Sequence, residues 1–196
     1  MSGTSPQTKR GYDLWELASA LQKEIRRGKE YEAVFWAAEL ESINPTMLWN
    51  RLRVITSEDI GIAGSALPLV IETLRKQYLE AKKEAKDDEA RLFLVHAVIT
   101  LAKSKKSRMV DDLLNVVYGE IQFEDNRLKI PDYAIDKHTR RGRTVRRGWD
   151  HFFAEGSKLA NETTTYPNPY TERAKEILKK YGPPKSKPEE QDKQDT

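Results

Sequence analysis

Three features of this sequence predict an all-α protein, an antiparallel bundle of helices with an irregular basic C-terminal extension. Apolar residues recur at every third or fourth position through most of the first 118 residues, the spacing of one face of an α-helix. Residues that start and stop helices stand between these runs: Gly28, Asn44-Pro45, and Gly61 with Gly64. No stretch shows the strict alternation of a half-buried strand, and only 121–130 reads as a short strand or an extended loop.

Taken in order, residues 1–10 are rich in Ser, Thr, Pro and Lys and are expected to be disordered. Tyr12 to Arg27 reads as a helix with Leu14, Leu17, Leu21 and Ile25 on one stripe, ended by Gly28. Glu30 to Ile43 follows, with Val34, Trp36, Ala37 and Leu40 as inner residues. Asn44 caps the next helix, and Pro45 takes its first position, where a missing N–H costs nothing. That helix runs to Thr56 with Leu48, Leu52 and Ile55 inward. Ser65 to about Lys86 is a long helix in which Leu67, Val70, Ile71, Leu74 and Tyr78 face inward before a solvated charge run. Ala90 to Lys103 is apolar all round, the mark of a central buried helix, with His96 as a core histidine. Ser107 to Tyr118 has Met109, Val110, Leu113, Leu114 and Val117 inward, and Thr171 to Tyr181 has Ala174, Ile177 and Leu178. The organisation expected is a helical domain over 11–130, a basic helical extension over 131–181 packed on it, and a disordered tail over 182–196.

Composition narrows the chemistry. The chain has no Cys, which excludes thiolate, redox and zinc–thiolate sites. No apolar run approaches the roughly 20 residues a membrane span needs, and Met1 to Lys9 holds no apolar segment of a signal peptide. A cytoplasmic protein without a membrane partner is the expectation. With 34 Lys and Arg against 31 Asp and Glu, net charge is only +3, so the distribution of charge is more informative than its sum.

The most informative stretch is Arg51 to Gly61, Arg-Leu-Arg-Val-Ile-Thr-Ser-Glu-Asp-Ile-Gly. Leu48, Leu52 and Ile55 place it at the end of an amphipathic helix, with Arg51 and Arg53 off the apolar stripe. Acids at a helix C-terminus oppose the helix dipole. Ser57 or Asp59 is therefore expected to cap the following turn, with Arg51 or Arg53 as ion partner and Gly61 as the break. Adjacent carboxylates on a helix point about 100° apart, which speaks against Glu58 and Asp59 as a catalytic pair.

The same stretch carries a resemblance. Ser19-Ala20-Leu21-Gln22-Lys23-Glu24-Ile25-Arg26, then Ala33, Phe35 and Trp36, Pro45, Arg51-Leu52, Ser57-Glu58-Asp59-Ile60-Gly61 and Ala66-Leu67-Pro68-Leu69 follow the order and spacing of a known pattern. His96 to Ala102 with Lys106-Ser107 extends it over about residues 14–118. It resembles the C-terminal region of the RarA (MgsA) family of AAA+ ATPases, which includes the Werner-helicase-interacting ATPase. The resemblance implies a helical portion like the collar of clamp loaders, which mediates oligomer formation, in a setting of DNA replication or repair. Such ATPases carry an upstream G-x-x-x-x-G-K-[ST] phosphate loop. These residues have none: the only Gly-Lys is Gly28-Lys29, without a Gly at the needed spacing. No nucleotide cofactor and no enzymatic activity are expected from this chain. The expectation is instead a free-standing relative that self-associates as a homo-oligomer or partners a separate AAA+ ATPase.

Beyond the resemblance, Lys137, Arg140, Arg141, Arg143, Arg146 and Arg147 fall within eleven residues that contain no acid. Such a segment can neutralise several phosphates, and Trp149, with Phe152 and Phe153, can stack on bases. These residues are the candidate DNA contacts, with Lys103, Lys105, Lys106 and Arg108 as a second basic cluster. The opposing reading pairs the segment with acids and buries its aromatics. Asp136, His138, Asp150, His151 and Glu155 offer an alternative, a divalent-metal hydrolase or nuclease, although no standard ligand spacing is present. A third alternative is an adaptor that binds only protein. The four tryptophans, Trp15, Trp36, Trp49 and Trp149, are expected in the core, and an exposed one would mark a subunit interface.

Overall fold

In the computed structural model, which describes residues 6–183, all regular structure is helical. Nine α-helices occur among the described residues: α1 (Leu14–Arg27), α2 (Glu30–Ile43), α3 (Pro45–Ile55), α4 (Leu67–Lys83), α5 (Asp87–Lys103), α6 (Met109–Phe123), α7 (Arg140–Thr144), α8 (Trp149–His151) and α9 (Thr171–Tyr181). A π turn, Thr56–Ile60, and a 3-10 turn, Gly61–Gly64, join α3 to the segment before α4. The chain divides between Asn126 and Arg127 into two compact units.

The first unit follows from its caps and stripes. Asp13 accepts the backbone N–H groups of Trp15 and Glu16 at the start of α1, and Asn44 accepts that of Met47 at the start of α3. Both satisfy donors that a helix start leaves without partners. Leu17, Leu21 and Ile25 of α1 meet Ala33, Ala37 and Leu40 of α2, while Leu48, Trp49 and Leu52 of α3 meet Ile71, Leu74 and Tyr78 of α4. The alanines Ala90 and Ala97 of α5 keep that face narrow enough for close packing beside Leu94, Val98 and Leu101. Each large aliphatic side chain so buried contributes about 1.5–3 kcal/mol.

Several elements differ from the sequence reading. Helix α5 is buried on one face only: Leu92 and His96 are exposed, so His96 is a surface residue and not a core histidine. Val34 and Trp36 lie at the margin of the core, where Ala33 and Ala37 take the inner positions. Trp15 is 62% exposed. Residues 124–130 form no strand, and α6 runs on to Phe123. None of the apolar residues of α6 is buried, including Met109, Val110, Leu113, Leu114 and Val117. Of the expected disordered ends, 1–5 and 184–196 lie outside the described residues. Pro6 to Arg10 form a turn around buried Thr8, whose hydroxyl accepts the N–H groups of Arg10 and Tyr12 at 3.2 Å each.

The second unit is built from shorter pieces. Thr139 caps α7 by accepting the N–H of Gly142. A Cβ on Gly142 would lie 1.7 Å from the carbonyl oxygen of Asp136, so this crossing accepts glycine alone. Ile135 is the buried hydrophobic residue here, and α9 buries none among the described residues.

The sharpest local demand falls on Gly61. Its φ is +49° with ψ −128°, a region open essentially to glycine, and an added Cβ would sit 2.9 Å from Val110 Cγ2. Gly61→Ala is expected to cost about 2–3 kcal/mol from strain and overpacking, read as a lowered midpoint in denaturant unfolding. Adding Val110→Ala should restore only the packing share of that loss.

Candidate functional site

The motif stretch folds into a charged knot within the first unit. Helix α3 does not stop at Ile55 but loosens into the π turn, which turns Thr56, Asp59 and Ile60 inward together. Asp59 is wholly buried. An unpaired carboxylate there would be untenable, and the surrounding residues meet it on every side. Arg26 Nε of α1 reaches Asp59 Oδ1 at 2.5 Å, and Arg26 Nη2 reaches Glu58 Oε1 at 3.1 Å. Gln22 Nε2 donates to Asp59 Oδ2 at 2.9 Å. Arg108, just before α6, lies 3.3 Å from both Glu58 and Asp59 and also binds Asp111. The carbonyl of Asp59 accepts the N–H of Ser107 at 2.9 Å. Glu58 holds the Arg108 guanidinium still more firmly in its charged form.

This corrects the expected pairing. Ser57 is exposed and makes no cap bond, and Asp59 spends its carboxylate on Arg26, Arg108 and Gln22 rather than on a helix start. Arg51 donates to Gln22 Oε1 at 3.1 Å and so touches the knot only through an amide. Arg53 faces Glu72 at 3.7 Å, outside it. Sequence reasoning missed Gln22, Arg26 and Arg108. The available signal was that Gln22 and Arg26 stand four apart beside Leu21 and Ile25, polar residues on an inward stripe.

The knot also fixes the base of α6. Lys106 donates to the carbonyls of Leu101, Ala102 and Ser104 at 2.6–3.0 Å, closing the end of α5. Burial pushes the Lys106 ammonium below its ordinary pKa, against the pull of Asp59. Lys103 is held by Glu30 at 2.5 Å. The second basic cluster is thus largely consumed inside the fold. Beyond its first turns α6 presents Leu113, Val116, Tyr118, Ile121 and Phe123 to the surface, with Phe123 79% exposed.

In the second unit the six basic residues take different roles. Arg147 is clamped, its Nη2 on both oxygens of Asp132 at 2.6 and 2.8 Å and its Nη1 on the carbonyls of Asp132 and Ile135. The Arg147 guanidinium holds the Asp132 carboxyl below the usual range. Lys137 Nζ sits 3.5 Å over the Trp149 ring, and Phe153 stacks on that ring at 5.5 Å. Arg140, Arg143 and Arg146 are exposed and make no ion pair among the described residues, and Arg141 lies near enough to Asp132 to depress its carboxyl further. Arg146 has φ +58° at the end of α7, where its N–H meets Arg143 and that of Arg147 meets Gly142. Glycine is the usual occupant of that position.

The metal alternative is not supported by the placement of its residues. Asp136 takes the backbone and ring nitrogens of His138 at 2.9 Å, and His138 holds that carboxyl below its usual range. Asp150 pairs with Lys179 and Glu155 with Lys158. His151 has both ring nitrogens buried without a hydrogen-bond partner, 3.9 Å from Asp132 at the closest. No three His, Asp or Glu side chains converge among the described residues. No helix among them is long and apolar enough to cross a membrane.

Residues 29–195 match the sequence profile of a family described as the MgsA AAA+ ATPase C terminal. The chain is also 30% identical over 131 residues to an uncharacterised AAA domain-containing protein of Mycobacterium tuberculosis, a match that takes in 65% of this chain. The chain spans 28% of that relative's length.

The knot makes a graded prediction. Asp59→Ala removes the acceptor shared by Gln22 and two arginines that stay partly solvated and paired to Glu58, and is expected to cost about 1–3 kcal/mol. Arg53→Ala, which removes a long and exposed pair, should cost under about 1 kcal/mol. Urea titration of the two variants against wild type measures both.

Proposed function

This chain belongs to the MgsA AAA+ ATPase C-terminal family, and we propose that its work is assembly. It self-associates, or joins an AAA+ ATPase, as a helical, DNA-associated component of replication or repair. The observation that carries the reading is α6. Fifteen residues long, it holds nine large apolar side chains that the fold leaves exposed. An isolated helix of about that length is marginal in water, and a patch of this kind on a soluble protein marks an interaction surface. These 196 residues hold no G-x-x-x-x-G-K-[ST], so nucleotide hydrolysis in such an assembly is supplied by residues outside this sequence. Sedimentation velocity tests the reading: wild type sediments as an oligomer, and Leu113→Asp with Val116→Asp sediments as a monomer of unchanged core stability. A monomeric wild type counts against self-association.

A second contact, with DNA, is favoured by Arg140, Arg143 and Arg146. Their guanidinium groups are exposed and unpaired among the described residues. Arg146 holds a left-handed backbone that costs a non-glycine residue about 1 kcal/mol or more, a cost that its side chain justifies if it meets phosphate. Lys137, Arg147 and Trp149 support that face from within. Reversing the three arginines to Glu is expected to abolish DNA binding in fluorescence anisotropy. The wild-type slope of log affinity on log salt should be about −3 or steeper. Unchanged binding refutes this contact.

A further inference from the structure

We infer that α6 of one copy docks on the Trp15 face of α1 in the next, so that copies assemble head to tail rather than through two like faces. The inference rests on the assembly reading above and adds the surface that receives α6. Two observations carry it.

The first is the charge of α6. Between Met109 and Phe123 stand Asp111, Asp112 and Glu120 and no Lys or Arg, with Glu124 immediately after. Asp111 is engaged by Arg108, whereas Asp112 is 3.9 Å from that arginine and largely exposed. Two such helices laid antiparallel bring the Asp112 end of one against Glu120 of the other. Laid parallel, they bring each acid against its own copy. Either way like charges face each other across an apolar seam, which is unfavourable. The surface that complements α6 is apolar and basic.

The second observation is that the first unit presents such a surface elsewhere. Trp15, in the first turn of α1, is 62% exposed and is shared by two shallow grooves. Met47 and Val54 lie along one groove and Ala20 along the other. Around it Lys23, Arg27 and Arg51 have no carboxylate partner among the described residues. Lys23 bonds Ser19, Arg27 the carbonyl of Lys23, and Arg51 the amide of Gln22. Glu24 is drawn to Lys29 at 3.5 Å, which leaves Glu16 as the opposing acid. Trp with neighbouring Arg is the composition that dominates interface energetics. An acidic apolar helix and a basic apolar groove on one chain form a heterologous pair. Such pairs close into a ring or continue as a filament.

Mixing two variants of the full chain tests the pairing. Trp15→Glu spoils the receiving face, and Leu113→Asp with Val116→Asp spoils α6; each side chain is exposed, so the core is spared. Each variant alone is expected to be monomeric, with Trp15→Glu weakening association at least about 30-fold. Mixed in equal amounts, they form a dimer and nothing larger, because one sound α6 then meets one sound Trp15 face. As a milder pair, Arg27→Glu weakens association and Glu120→Lys on the other copy restores it. If Trp15→Glu associates as wild type does, or the mixture stays monomeric, head-to-tail pairing is overturned while self-association stands. A monomeric wild type overturns both.

Discussion

A single carboxylate with no access to water governs the first unit. Asp59 cannot be left charged in an apolar interior, so the fold brings Arg26 from α1, Arg108 from the approach to α6 and Gln22 to meet it. Three consequences follow. The chain must abandon regular α-helix at Thr56, since the wider π turn is what turns Thr56, Asp59 and Ile60 inward together. Gly61 must then reverse the chain where Val110 leaves no room for a side chain. Finally, α6 must start where Arg108 and the Ser107 N–H reach the knot.

What the sequence made legible divides along the same line. Stripes in α1, α3 and α4 are local patterns, and Leu17, Leu21, Leu52, Ile55, Ile71 and Tyr78 all fall where periodicity puts them. Caps at Asn44 and the break at Gly61 are local too. Ion partners are not: Arg26 and Asp59 are 33 residues apart, and nothing in the spacing prefers Arg26 over the nearer Arg51 or Arg53. The runs Ser19 to Arg26 and Ser57 to Gly61 carry no sign in their spacing that they touch. For α6 the difficulty is one of principle. An apolar stripe does not say whether the rest of its own chain covers it. Met109, Leu113 and Val117 read as core for that reason.

The second unit holds together by different means. With Ile135 as its buried apolar residue among those described, it relies on polar ties and ring contacts. Arg147 bridges Asp132 and two carbonyls, and Lys137 covers Trp149 amid His138, Phe152 and Phe153. A run of six cations is thereby sorted by partner into residues that build the unit and residues that face outward. Composition alone cannot make that separation, because Arg147 and Arg146 are neighbours of the same type.

The knot and the apolar helix are mechanically one device. Helix α6 is tied to its unit at its base, where Arg108 clasps Glu58, Asp59 and Asp111 and where Val110 abuts Gly61. A projecting helix held by apolar contact alone would swivel, since such contact is non-directional. Charge-assisted hydrogen bonds from a planar guanidinium are directional. Direction at its base therefore fixes where the exposed side chains of α6 face. A buried ion network is a costly way to gain stability, but it is a physically sound way to fix an angle, and that is the service this one performs for α6.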